Sequence, residues 1–318
     1  MDSSLEKEVD LPFIDLSQFS FDSEGIKNLQ NHPGVATVRE SCQEWGFFRI
    51  VNSGIPNDAF QKVESVSHEL FAMPQEMKDR AITSSPHDTY INHPYRESFW
   101  FPTPPHSDSV LAFCNKLWPE KDNLKLCETI GAYILSMEDL KRKISSIIIA
   151  SLELDKVETF YHSDFEKGTS VFRIHHYYSD GKFAAGEEAL FAHTDPHCFT
   201  ILYQDNGAGL QIQSKEGNWV HVKHIPNSLI INVADSLKAW SNGRYRSVNH
   251  RVVYKDWTNR ISLGWFMMFP DKEIRVPAEL IDDQHPQCYR PFTYLQFRDA
   301  FMKDRIDIDG YAGIIPTY

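Results

Sequence analysis

A chain of 318 residues, 42% hydrophobic and 24% charged, is long enough for one large domain or two small ones, with a core that needs no covalent staples. Its 44 acidic and 32 basic residues leave a net charge of −12, which repels phosphate backbones and anionic lipid heads, so neither nucleic acid nor a membrane surface is an expected partner. No apolar run approaches the ~18 residues of a membrane helix, and the polar, acidic residues 1–8 are neither a secretory signal nor an Arg-rich transit peptide.

In chain order, residues 1–10 read as a frayed tail. Residues 11–16 read as a short strand. A helix starts near Pro33, a residue suited to a first helical position, with Val35, Val38, Cys42 and Trp45 at helical spacing and Gly46 as a left-handed cap. Residues 47–51 are a strand. Asn57 caps a second helix with Phe60, Val63 and Leu70 on one face, and Pro74 stops it. Residues 84–109 read as loop, with prolines at 86, 94, 102, 104 and 105 among the aromatics Tyr90, Tyr95, Phe99, Trp100 and Phe101. A long helix is expected over roughly 123–154.

Beyond residue 170 the texture becomes short strands, at 171–178, 200–204, 210–213, 219–223, 228–233 and 260–269. Glu216-Gly217 reads as a hairpin turn. Asn242-Gly243 gives the strongest short hairpin signal and leads into a strand near 245–254. The expected fold class is mainly β with an α-helical N-terminal part, the core being a jelly roll. The expected organisation is a disordered tail at 1–10, a mainly helical region at 11–160, the jelly-roll core at 161–275 and a C-terminal helical and loop segment at 276–318, all in one compact unit.

Chemistry concentrates in two patterns spaced by two. In a strand, residues i and i+2 share a face, so His193 and Asp195 can grip one ion together, and His250 on a later strand can join them. Two imidazoles and one carboxylate form the facial triad of non-haem Fe(II) oxygenases, which leaves open positions that a closed zinc site lacks. Among 14 histidines such a match arises easily by chance. The second pattern adds weight. Arg260 and Ser262 also share a strand face, and a guanidinium fork with a hydroxyl can hold the distal carboxylate of a dicarboxylate.

Other signals carry less. His68-Glu69 starts like a zinc-protease helix, but Ala72 stands where the second histidine belongs. Gly207-Ala208-Gly209 is read as a turn. The strand neighbours His175 and His176 face opposite ways and cannot serve one ion. Lys141-Arg142-Lys143 is read as a solvated helix face. His197 reads as a polar contact near the strand end. The five cysteines, at 42, 114, 127, 198 and 288, show no C-x-x-C and fit reduced thiols in a cytoplasmic protein, a setting that also suits a ferrous ion.

The order and spacing of these motifs resembles the plant-type 2-oxoglutarate/Fe(II)-dependent dioxygenases. The resemblance covers most of the chain. It rests on the opening Leu-Pro-Phe-Ile-Asp-Leu from Leu11, on Glu44-Trp45-Gly46-Phe47-Phe48 and Val51-Asn52-Ser53-Gly54-Ile55, and on the later half. There His193-Thr194-Asp195, the stretch from Leu229 to Asp235, Trp240-Ser241-Asn242-Gly243-Arg244, His250-Arg251-Val252 and Arg260-Ile261-Ser262 follow one another as in that family.

The resemblance implies a distorted double-stranded β-helix around Fe(II) and 2-oxoglutarate held by Arg260, Ser262 and Tyr177. It also implies O2 as co-substrate, succinate and CO2 as products, ascorbate as reductant, and a monomer acting on a small molecule. In the strand carrying Tyr177, His175 stands where the family has Asn, and Tyr178 where it has Pro. Tyr95, Phe99, Trp100, Arg173, His175 and Phe266 are the expected substrate-pocket residues, with Asn232 beside them. The stretch around Tyr95 to Phe101 is similar to the branch containing auxin-oxidising and glucosinolate-modifying enzymes, which suggests hydroxylation or desaturation of a hormone-like acid or specialised metabolite. The competing readings are a non-catalytic metabolite-binding protein on the same scaffold and a metal enzyme that does not use 2-oxoglutarate.

Overall fold

Period-two alternation decides what each strand of this protein faces. The computed structural model describes residues 7–314 except 85–88, 103–106, 118–123, 155, 179–183, 185, 206–208 and 255–258. The early strands are β1 (Glu8–Val9), β2 (Phe13–Asp15), β3 (Phe47–Val51), β4 (Thr89–His93) and β5 (Arg96–Pro102). Next come β6 (Ser170–Tyr178), β7 (Glu188–His193), β8 (Phe199–Gln204) and β9 (Leu210–Gln213). Then come β10 (Trp219–Val222), β11 (Leu229–Val233), β12 (His250–Val253) and β13 (Asn259–Met267).

Eight of these strands form one sheet in the order β2-β3-β11-β8-β13-β6-β5-β4, and the other five form a second in the order β1-β10-β9-β12-β7. On β13, Ile261, Leu263, Trp265 and Met267 point outward into the main hydrophobic core, while Arg260, Ser262 and Phe266 line the space between the sheets. The outer face is covered by the helices Pro33–Glu44, Asn57–Phe71 and Leu124–Ser151, whose buried stripes include Val38, Leu70 and Ile144. The site therefore lies in the sandwich and the helices lie behind it, as the double-stranded β-helix with a helical N-terminal part requires.

Several expectations need correction. Residues 8–9 are not tail: β1 pairs parallel with β10, and residues 1–6 lie outside the described residues. The stretch expected to be loop around residue 95 is a hairpin, β4 with β5, that extends the large sheet through β6. Pro94 sits in its turn and Pro102 closes β5, positions where a missing N–H costs no ladder bond. Pro86, Pro104 and Pro105 lie outside the described residues. The division at residue 160 is therefore not architectural, because β2 to β5 from the N-terminal region are integral to the large sheet.

Asn242 and Gly243 have left-handed backbones, but they terminate the helix Asp235–Trp240 rather than turn a hairpin. The strand that follows covers only His250–Val253. The helix Ser107–Leu117 was not foreseen. Asn57 is the first residue of its helix, with Pro56 at the cap position. Lys141 is buried, with Nζ donating to Gly168 O at 3.3 Å and pairing with Glu138 at 2.6 Å, so that basic run is not a fully solvated face. His68 and Glu69 are exposed on their helix, while Gly207 and Ala208 lie outside the described residues. After β13 a short separate strand pair, Glu273–Ile274 with Phe292–Thr293, precedes the helices Tyr294–Asp304 and Ile308–Ala312.

Candidate active site

His193 ends β7 and His250 begins β12, and the two residues pair directly across those antiparallel strands. Their ring centroids are 4.4 Å apart. Asp195 follows β7 closely enough that Oδ1 lies 3.7 Å from His193 Nε2 and Oδ2 3.9 Å from His250 Nε2. One ligand atom from each of the three residues falls within 4.8 Å of the others. His193 Nδ1 lies 2.8 Å from Phe191 O and His250 Nδ1 3.1 Å from Val248 O. With each Nδ1–H donating to a carbonyl, both Nε2 lone pairs point at the shared centre, the tautomer a metal requires. The donor set thus fits a divalent iron that keeps open positions.

Electrostatics favour the same state. Burial pushes the Asp195 carboxyl up, but the His250, His197 and His193 rings and the Thr200 hydroxyl outweigh it and hold the group below the ordinary carboxylate range. Burial, with His250 alongside, lowers the His193 ring to about 4, so the imidazole is neutral and able to ligate at pH 7. Asp195 Oδ2 accepts from Thr200 Oγ1 at 2.7 Å and from Asn232 Nδ2 at 2.8 Å. Thr200 and Asn232 pair across β8 and β11, which aims both donors at one oxygen.

Arg260 and Tyr177 pair across β13 and β6, as do Ser262 and His175. The Arg260 guanidinium lies 4.9 Å from the centre of the Tyr177 ring and donates to Gln204 Oε1 at 2.7 Å. Arg260, Ser262 and Tyr177 line an inner chamber of about 70 Å³ whose wall also includes His193, Asp195 and His250. The metal triad and the dicarboxylate clamp inferred from spacing therefore share one enclosure. His175 shares it too. Burial, reinforced by Arg96, Arg173 and Arg260, pushes its ring well below the ordinary imidazole value.

An outer cavity of about 580 Å³ adjoins the chamber and shares His175, His193, Asp195 and Phe266 with it. Trp100 and Arg173 line this cavity, so four of the six expected pocket residues are here. The other two are not. Phe99 is fully buried on the opposite face of β5, where it packs on Phe71 and Tyr90, because a neighbour of Trp100 in a strand must point the other way. Tyr95 is exposed in the β4–β5 turn, beside His93, and lines neither cavity.

Thr200 and Gln204 were missed, and although a C-terminal helical segment packing on the core was expected, its pocket residues were not named. That helix brings Tyr294, Arg298 and Met302 to the outer cavity, and Tyr294 Oη lies 3.0 Å from His197 Nδ1. Thr200 and Gln204 had one usable signal, a shared strand face by period two. Nothing in the linear sequence singles out which residues of that helix reach the cavity.

Comparison with known proteins agrees with this geometry. Residues 168–268 match the family model of the 2OG-Fe(II) oxygenase superfamily, and residues 11–121 match that of the non-haem dioxygenase in morphine synthesis N-terminal region. The chain is 31% identical over 307 residues to gibberellin 3-beta-dioxygenase 4 of Arabidopsis thaliana, covering 91% of this chain and 81% of that protein. The crystal structure of the dioxygenase for auxin oxidation in rice superposes with a TM-score of 0.82 at 28% identity, covering 96% of this chain and 100% of that one. The dioxygenase for auxin oxidation 1 from Arabidopsis thaliana, solved in binary complex with 2-oxoglutarate, superposes with a TM-score of 0.74 at 28% identity, covering 87% of this chain and 99% of that one. With its His-Asp-His cluster and two-sheet core, the chain belongs to the 2OG-Fe(II) oxygenase superfamily, as a plant-type 2-oxoglutarate-dependent dioxygenase.

Proposed function

We propose that this dioxygenase holds Fe(II) with His193, Asp195 and His250, and 2-oxoglutarate with Arg260, Ser262 and Tyr177. The observation that carries the assignment is their convergence on one chamber, although they come from four strands, β6, β7, β12 and β13, and the segment just after β7. When bound, Fe(II) and 2-oxoglutarate supply O2 activation, which yields succinate and CO2 and oxidises a substrate C–H bond.

The protein's own part is positional. Thr200 and Asn232 fix the Asp195 carboxylate, and the Phe191 and Val248 carbonyls fix the two rings. Gln204 orients the Arg260 fork, whose geometry suits a carboxylate. The sheets and helices keep bulk water from the chamber. Trp100, Arg173, His175 and Phe266 form the substrate wall.

The substrate in this reading is a hormone-like acid or a specialised metabolite, hydroxylated or desaturated. The names of the gibberellin and auxin dioxygenases support a hormone-like molecule. Ascorbate is the proposed reductant. Free thiols, four of five buried, support a cytoplasmic setting. The −12 charge supports a monomer that avoids nucleic acid and membranes, and no helix among the described residues is long and apolar enough to cross a bilayer.

Anaerobic titration tests the assignment, with Fe(II) added first and 2-oxoglutarate second. Wild type is expected to bind both, His250→Ala to lose iron, and Arg260→Gln to keep iron but lose 2-oxoglutarate affinity by roughly ten-fold or more. Unchanged 2-oxoglutarate binding in Arg260→Gln would remove the clamp from the account.

A further inference from the structure

On β6 the side chains of Arg173, His175 and Tyr177 share one face. Tyr177, with Arg260 over its ring, belongs to the inner chamber, whereas Arg173 belongs to the outer cavity. The Arg173 guanidinium lies between two rings, its carbon 3.8 Å from the centre of Trp100 and 4.3 Å from that of Phe266. Gly264, opposite Arg173 on β13, makes this possible, because a Cβ there would come within 2.6 Å of the Phe266 ring. The rings occupy the flanks of the guanidinium and leave its N–H donors to be met from the cavity.

Among the described residues no carboxylate or carbonyl accepts from those donors, and Nε is buried without a partner. Arg96, on the same face of β5, repeats the pattern, with a buried and unpartnered Nε. Arg298 differs, since it pairs with Asp299 at 2.7 Å. The carboxylates of the cavity are thus already engaged, Asp299 by Arg298 and Asp195 by Thr200 and Asn232. Burial lowers the Arg173 guanidinium to about 10, which leaves it charged at neutral pH. Unmet donors on an enclosed cation are costly until an anion arrives.

We propose that Arg173 is the anchor for a carboxylate on the substrate, so that this enzyme acts on small organic acids with an apolar or aromatic body. The proposal deepens the dioxygenase reading and rests on it. The two arginines sort the two acids. Arg260 serves 2-oxoglutarate in the chamber, and Arg173, on the other side of His175 along β6, serves the substrate. Trp100 and Phe266 hold the planar fork in one orientation for a bidentate pair, and Arg96 adds positive potential. Ile91, Val171, Leu190 and Met268 offer apolar wall for the rest of the molecule.

Calorimetric titration of the full chain, loaded anaerobically with Fe(II) and 2-oxoglutarate, tests this. The probes are phenylacetic, 2-naphthylacetic and octanoic acids, each compared with its own primary amide. At least one acid is expected to bind wild type more tightly than its amide by roughly ten-fold or more. Arg173→Gln is expected to abolish that preference and Arg173→Lys to keep part of it, while both retain 2-oxoglutarate affinity within about three-fold. The proposal is overturned if no acid outbinds its amide, or if Arg173→Gln keeps the preference. It is equally overturned if both variants lose 2-oxoglutarate, which would assign Arg173 to the co-substrate. Failure of the underlying reading shows elsewhere, as an Arg260→Gln variant with normal 2-oxoglutarate binding.

Discussion

The Asp195 carboxylate is held by hydroxyl and amide donors 5 and 37 positions further along the chain. Both donate to Oδ2, which leaves Oδ1 toward His193 Nε2. This arrangement makes Thr200 a positioning residue for the metal. Thr200→Val keeps the shape and removes the donor, so Fe(II) affinity is expected to fall by ~10–100-fold in a metal-binding titration. Equal affinity in the variant would mean that Asn232 alone suffices. At this scale the sequence was most legible where a pair of residues falls two apart on one strand face. His193 with Asp195 and Arg260 with Ser262 were readable for that reason. Their supports were not, because Thr200 reaches Asp195 across the irregular segment between β7 and β8, and Asn232 joins them only through the pairing of β8 with β11. Asp235 is similar. Burial lifts its carboxyl to about 7 against the Ser247 and Thr194 hydroxyls, and it accepts from Thr194 at 2.9 Å.

Strand β5 shows what an element adds to a list of residues. Its aromatic and proline content made it read as loop, yet it is a seven-residue strand with alternating tasks. Arg96 and Trp100 face the outer cavity, while Phe99 and Phe101 enter the helical core. Alternation separates two kinds of defect. Phe99→Ala leaves a void among Phe71, Tyr90 and Phe113 and is expected to cost about 3–5 kcal/mol in urea unfolding, with co-substrate affinity intact in the folded fraction. Trp100→Ala uncovers Arg173 and is expected to cost less stability and to weaken substrate binding more. The reverse pattern would mean that the face assignment of β5 is wrong. The Asn242-Gly243 misreading has a comparable cause. Left-handed backbone suits a helix end as well as a hairpin, and dipeptide chemistry alone does not choose between them.

At the scale of the molecule, the two-sheet core was legible from the run of short strands after residue 170, and the helical cover from the 3.6-residue periodicity of residues 33–44, 57–71 and 124–151. One compact unit was expected, but not that the N-terminal region would supply strands to the large sheet. The large sheet takes β2 to β5 from the N-terminal region and places β3 against β11 and β5 against β6, pairings between residues far apart in sequence. The β5–β6 pairing brings Trp100 from the early chain, and the C-terminal helix brings Tyr294 from the late chain, to one cavity. The site is therefore a property of the whole fold, with the proposed iron ligands on the small sheet and its edge and the arginines proposed to bind the two acids on the large one. Succinate formation from 2-oxoglutarate tests this account most directly, measured with Fe(II), ascorbate and a panel of small organic acids. Wild type is expected to release succinate at a rate that rises with at least one of the acids, and Asp195→Ala to release essentially none. Equal release by wild type and Asp195→Ala would contradict it.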